Sequence, residues 1–158
     1  MDAQRATLAN VITLGARDLP LLRDCYRRLG WPRVIDDEDF AAFELRGAVL
    51  ALFPVDKLAA DGRGEPESGR GGIRFTIGAI VDSAQAVDEL TELMRQAGGR
   101  VTKEPVAAEF FEGRSAYIAD PEGNYWEIAW AGADNAVVAA ARRSAGMTGP
   151  AESPESSK

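Results

Sequence analysis

Glu127 is the residue of this chain best placed to do chemistry. It stands in the run Tyr125-Trp126-Glu127-Ile128-Ala129, where strand alternation sets its carboxylate on one face with Tyr125 and Ala129, opposite Trp126, Ile128 and Trp130. The aromatic and aliphatic face belongs against helices, so the carboxylate faces whatever the other side encloses. Enclosed without a partner, it would be costly and its pKa would rise. That suits a general base or a hydrogen-bond acceptor for a ligand; pairing with Arg74 or Arg114 is the structural alternative. Just upstream, Phe110, Phe111, Arg114 and Tyr117 gather aromatic surface, a guanidinium and a phenol around Glu112-Gly113. Adjacent aromatics can cover a flat ligand, and Tyr117 or Arg114 can stabilise developing negative charge.

Other chemistries are excluded by composition. The chain has 158 residues and no histidine, so it holds no Ser-His-Asp triad, no Cys-His pair and no histidine-ligated zinc or iron. Its single cysteine, Cys25, cannot form an internal disulfide, a multi-cysteine zinc site or an all-cysteine iron–sulfur cluster. Without histidine to activate it, Cys25 is expected to be an inert buried thiol. With 18 Lys+Arg against 25 Asp+Glu, a net charge of −7 argues against nucleic acid as a partner. No apolar run reaches the roughly 18 residues of a membrane span. Met1 to Asn10 lacks the basic-then-apolar order of a signal peptide, which points to the cytoplasm.

The elements that must position these residues repeat. Val11 to Ala16 reads as a strand; Asp18 caps a helix with Pro20 in its first turn; Leu22, Cys25, Tyr26 and Leu29 form its apolar face, and Gly30 ends it. Trp31 is expected to pack on the sheet. Strands follow at Arg33–Ile35, Phe40–Leu45 and Ala48–Phe53, the last two as a hairpin across Arg46-Gly47. Residues 55–72, with five glycines, read as a connector between modules. The order then returns: strand Ile73–Val81, a helix capped by Asp82 or Ser83 with Val87, Leu90, Met94 and Ala97 on one face, and strands Arg100–Lys103, Ser115–Ala119 and Tyr125–Trp130. The turn Asp120-Pro121-Glu122-Gly123-Asn124 joins the last two. Two βαβββ modules result, at 9–54 and 73–131, followed by a short helix within 132–143 and a disordered tail over 144–158. Matching the hairpin glycines Gly47 and Gly123 makes Ala51 the equivalent of Glu127.

The two βαβββ units, the string Ile12-Thr13-Leu14-Gly15-Ala16-Arg17-Asp18-Leu19 and the ending Tyr117-Ile118-Ala119-Asp120-Pro121-Glu122-Gly123-Asn124-Tyr125-Trp126-Glu127 resemble the vicinal oxygen chelate superfamily. That superfamily includes glyoxalase I, extradiol dioxygenases, fosfomycin-resistance enzymes and bleomycin-resistance binding proteins. The resemblance covers about Ala9 to Trp130. It implies an α+β fold in which each module curls into half a cup, with helices on the outer face. It also implies four metal-ligand positions, which fall here on Val11, Ala51, Thr76 and Glu127. Three of the four carry no ligating side chain suited to Zn²⁺ or Fe²⁺, so no metal and no cofactor are expected.

The implied pocket is lined by Thr13, Ala51, Phe53, Thr76, Phe110, Phe111, Arg114, Tyr117, Tyr125 and Glu127. The leading expectation is a metal-free homodimer binding a small organic molecule, as in sequestration of an antibiotic or other natural product. The alternative is a metal-independent isomerase, epimerase or lyase with Glu127 as general base. A metal-dependent glyoxalase or dioxygenase ranks below both, and a partner subunit that has lost both roles is a further possibility.

Overall fold

A computed structural model describes residues 10–69, 73 and 75–147. The expectations placed on the first nine residues, on Arg74, on the last residues of the connector and on the tail beyond Met147 lie outside the described residues. The first module runs β1 (Val11–Ala16), α1 (Leu19–Arg28), β2 (Arg33–Asp36), β3 (Ala41–Leu45) and β4 (Ala48–Pro54). Its sheet has the order β1-β4-β3-β2, with β1 parallel to β4 and the other pairs antiparallel. Asp18 caps α1 as expected, its Oδ1 accepting from the Leu21 amide at 3.0 Å. At the far end Gly30 takes φ 74°, a backbone conformation that a side chain would oppose.

After β4 comes α2 (Val55–Asp61), where the sequence pattern predicts a connector. The reason is local: every glycine of that stretch lies at or beyond Gly62, leaving seven residues free of helix breakers. The helix folds back over the end of β1. A Cβ on Gly15 would stand 3.0 Å from Val55 Cγ2 and 3.3 Å from Val55 Cα, a crowded contact that glycine avoids.

The second module runs β5 (Ile77–Ile80), α3 (Ala84–Gln96), β6 (Arg100–Ala107), β7 (Gly113–Ala119) and β8 (Tyr125–Ala131), in the sheet order β5-β8-β7-β6. Strand β5 is shorter than the expected Ile73–Val81, and β6 runs four residues past the expected end at Lys103. Ser83, not Asp82, caps α3, its hydroxyl accepting from the Ala86 amide at 3.1 Å. The last element, α4 (Ala136–Ser144), is capped by Asn135 and held by Arg142, which donates to Asp82 Oδ1 at 2.8 Å. No helix of the described residues is long and apolar enough to cross a membrane.

One core serves both modules. Leu14, Leu22, Tyr26, Phe43, Leu50 and Leu52 from the first join Val87, Met94, Ile118, Trp126 and Ile128 from the second. At its centre Tyr26 stacks on Trp31 with ring centroids 5.8 Å apart, and Trp31 lies 5.6 Å from Trp126. The modules are also tied by a polar latch. Asp120, 4% exposed, accepts from the Tyr26 hydroxyl at 2.7 Å, the Glu122 and Asn124 amides at 2.9 Å and Asn124 Nδ2 at 2.8 Å. Trp126 Nε1 donates in turn to the Tyr26 oxygen at 2.9 Å. Glu122 Oε1 reaches across to accept from the Arg17 and Asp18 amides, at 2.7 and 3.1 Å. The Asp-Pro-Glu-Gly-Asn turn is therefore the clasp that holds the second module's hairpin to the first module's strand–helix junction.

Cys25 lies on the buried face of α1. Burial first, then the Asp120 carboxylate, pushes its thiol from 9.0 up to about 11. The same two causes hold the Tyr26 phenol well above its ordinary value. A rise of that size at Cys25 cuts the thiolate fraction at pH 8 about 100-fold, so iodoacetamide is expected to label the native protein at least that much more slowly than the urea-unfolded chain. The folded state binds these protons more tightly than the unfolded one. Stability is therefore fully present below pH 9 and declines as pH rises towards 11, which urea titrations across that range will show.

Candidate functional site

Each sheet has one face on the core and one turned away from α1 and α3; the latter is the open face. On β8 Trp126 and Ile128 are core residues, so Tyr125, Glu127 and Ala129 take the open face, as alternation requires. Strand pairing then aligns a row across the second sheet. Gly78 on β5 faces Glu127 on β8, Glu127 faces Tyr117 on β7, and Tyr117 faces Lys103 on β6. Tyr117 and Glu127 are both half-buried. Burial first, and then the neighbouring Glu127 carboxylate, raises the Tyr117 phenol above its ordinary value. Lys103 Nζ lies 5.3 Å from the centre of the Tyr117 ring and donates to Ser115 Oγ at 2.8 Å. Ser115 is 1% exposed.

Lys103 is a site residue that the sequence pattern does not predict. In a regular strand it would share a face with Val101, which packs on the core. The pairing of β6 with β7 shifts register between Val101 and Lys103 and again before Val106, and the first shift turns Lys103 onto Tyr117. Irregularities of this kind leave no mark in a period-2 pattern. The charge of Lys103 next to an aromatic strand is the sole available signal.

Other candidates are placed differently. Arg114 lies on the outer face of β7, where Nε and a terminal nitrogen donate to Asp88 on α3 at 2.9 and 2.7 Å. Alternation sets it opposite Ser115 and Tyr117, so it neither lines the open face, a correction to its expected place among the ligand-binding residues, nor pairs with Glu127 as the structural alternative had it. This pair holds the Asp88 carboxyl below its usual range. Arg114→Ala is expected to leave ligand affinity unchanged and to cost about 0.5–1 kcal/mol, as for a solvent-screened ion pair, checked by calorimetry and urea unfolding of one preparation.

The two adjacent phenylalanines separate. Phe111 Cε2 covers Gly113, 2.9 Å from where its Cβ would stand, whereas Phe110 is 92% exposed on the β6–β7 turn and packs on nothing in the site. Thr76 is half-buried immediately before β5.

In the first sheet Thr13 faces Ala51, which in turn faces Ala42. Thr13 is exposed on the open face, but Ala51 is 2% exposed and offers a ligand no surface, a second correction. Phe53 packs edge-on against Phe40, centroids 5.7 Å apart, beside the region that α2 covers. The structure thus joins Glu127, Tyr117 and Tyr125 on one sheet and Thr13 and Phe53 on the other.

The positions that resemblance assigns to metal ligands do not fit a metal. Val11 and Ala51 carry no donor atom, and Thr76 carries a neutral hydroxyl. The observed register offers Thr13 and Gly78 as the residues facing Ala51 and Glu127, which adds one more hydroxyl. Among the described residues no three His, Cys, Asp or Glu side chains come together in a way that could hold a metal ion. Zn²⁺ and catalytic Fe²⁺ need three or four imidazole, thiolate or carboxylate ligands.

Comparison with known proteins agrees with this architecture. Residues 8–128 match the model of the Glyoxalase/Bleomycin resistance protein/Dioxygenase superfamily. A glyoxalase-related enzyme from Fulvimarina pelagi is 30% identical with a TM-score of 0.70, the match covering 82% of this chain and 89% of that one. A glyoxalase/bleomycin resistance protein/dioxygenase family enzyme from Burkholderia phytofirmans PsJN shares the fold at 22% identity and TM-score 0.68, over 79% of this chain and 98% of that one. Lactoylglutathione lyase from Agrobacterium tumefaciens does so at 24% and 0.59, over 77% and 92%. A search of curated proteins finds no match.

Proposed function

Because the chain belongs to the Glyoxalase/Bleomycin resistance protein/Dioxygenase superfamily, we propose that it is a metal-independent member that binds a small organic molecule on the open face of its second sheet. The observation that carries this reading is the row Gly78–Glu127–Tyr117–Lys103. The only carboxylate at a ligand position stands there among a phenol and an ammonium, with no other metal-binding side chain beside it among the described residues. Sequestration of an antibiotic or other natural product is one biological form of such binding. Val11 and Phe75, 65% and 61% exposed, leave apolar surface that supports closure of the site by a second copy, which sedimentation velocity will test.

The direct test is elemental analysis of untagged protein, followed by calorimetric titration with Ni²⁺, Zn²⁺, Mn²⁺ and Fe²⁺. The reading requires no stoichiometric binding, and tight metal at one per chain sinks it. A thermal-shift screen of small organic compounds then identifies ligands. Glu127→Gln is expected to weaken those that donate a hydrogen bond to it by about tenfold while the melting temperature of the free protein stays put.

One observation favours a second reading, metal-independent isomerisation or epimerisation. The protonated Tyr117 stands against Glu127, so a carboxylate able to take a proton lies beside a phenol able to return one. Exchange of a ligand's carbon-bound hydrogen for solvent deuterium, lost in Glu127→Gln, separates this reading from binding alone.

A further inference from the structure

Lys103 is held in a way that calls for a counter-charge. It is half-buried, and among the described residues it meets no carboxylate. By contrast Arg95 and Arg114 on the same module, and Arg142 on α4, each reach one. An ammonium has three protons to donate, and the Ser115 hydroxyl takes one of them. A partly desolvated cation lacking an opposite charge is a standing cost that an anionic group removes. In a chain of net charge −7, this one faces the open side of a sheet and not a neighbouring helix.

The other end of the row supplies room. A Cβ built on Gly78 would meet nothing within 4 Å, so the floor beside Glu127 is open. Glu127 and Lys103 stand two strands apart, with Tyr117 between them. At the usual strand spacing their backbones are roughly 10 Å apart.

We propose that Lys103 is the specificity-determining residue of this face, and that the ligand is an elongated organic anion. Its anionic oxygen takes the Lys103 ammonium, its body crosses Tyr117, and a hydroxyl or amine at its far end donates to Glu127 above the Gly78 floor. This rests on the binding role proposed above and adds the ligand class to it. A second carboxylate at the far end is rejected by Glu127, which excludes dicarboxylates.

The test uses the full chain and three acid–amide pairs: 4-hydroxycinnamate, 4-hydroxyphenylacetate and 5-hydroxypentanoate, each against its carboxamide, by isothermal calorimetry. At least one acid is expected to bind about tenfold or more tightly than its amide. Lys103→Met is expected to abolish that preference, Lys103→Arg to restore most of it, and Gly78→Val to remove binding of acid and amide alike. Far-UV circular dichroism and melting temperature confirm that each variant is folded.

Acids that bind no better than their amides, or a preference that survives Lys103→Met, overturn the anion assignment and leave the binding role standing. If none of the six compounds binds, the assignment is overturned too. The binding role falls with it only if a screen of neutral and cationic compounds likewise shows no ligand whose binding is lost in Gly78→Val.

Discussion

Asp120→Ala is expected to lower the unfolding free energy by about 3–5 kcal/mol, as much as truncating a core aromatic. The carboxylate is 4% exposed and accepts four hydrogen bonds, from two backbone amides, one side-chain amide and the Tyr26 hydroxyl. Alanine replaces none of them, and the Tyr26 proton is left in a site that water does not reach, since Tyr26 is 0% exposed. For a chain of this size the loss corresponds to roughly 10 °C or more in melting temperature, measured by calorimetry. Tyr26→Phe removes a single donor and leaves Trp126 Nε1 without its acceptor, so about 1–3 kcal/mol is expected. The pair in one double-mutant cycle will show strong non-additivity, because both substitutions break the same clasp. Additive losses would mean that the two residues act separately.

Gly113→Ala is expected to be nearly as damaging, at roughly 3 kcal/mol or more, for a steric reason alone. The added methyl would stand 2.1 Å from the Trp130 carbonyl oxygen and 3.1 Å from Ala131 Cα, both backbone atoms of the paired strand. It would also press on Phe111, which covers that glycine from the open side. Neither backbone atom can yield without breaking the β7–β8 pairing that aligns Tyr117 with Glu127. The matched control is Gly78→Ala on β5, where a methyl meets nothing and stability is expected to stay within about 0.5 kcal/mol. Urea unfolding of both variants measures the contrast, and a Gly113→Ala protein as stable as the parent would refute the packing account.

Local rules carry most of the fold. The cap at Asp18, the apolar stripe of α1 and the alternation on β8 each follow from the spacing of a few residues, and the structure reproduces them. Ala51 and Glu127, matched by aligning two hairpin glycines, lie opposite Thr13 and Gly78 on the edge strands that open their modules. What local rules miss is what other elements or irregular pairing decide. Helix α2 is hidden because glycines at one end of the stretch dominate its composition. The position of Lys103 depends on a register shift that alternation has no means to represent. Arg114 looks like a site residue from its nearness in sequence to Tyr117, whereas one step along a strand reverses the face. The ending Asp120–Asn124 is legible as a signature, but its work lies in atoms more than ninety positions upstream.

That separation sets the order in which the molecule can be made. The contacts from Glu122 to Arg17, from Trp126 to Tyr26 and from Asp120 to Tyr26 span 105, 100 and 94 residues. At a synthesis rate of about 5–20 residues per second, the first half of the chain waits roughly 5–20 s for the turn that completes it. During that interval the amides of Arg17 and Asp18 have water where Glu122 will be. Tyr26 meanwhile lacks both its acceptor and the indole that will donate to it. Contacts of such length make the search slow compared with locally wired helical proteins. The nascent first module therefore emerges with its strand–helix junction unfinished, and native closure waits for the Asp120–Asn124 turn to follow it.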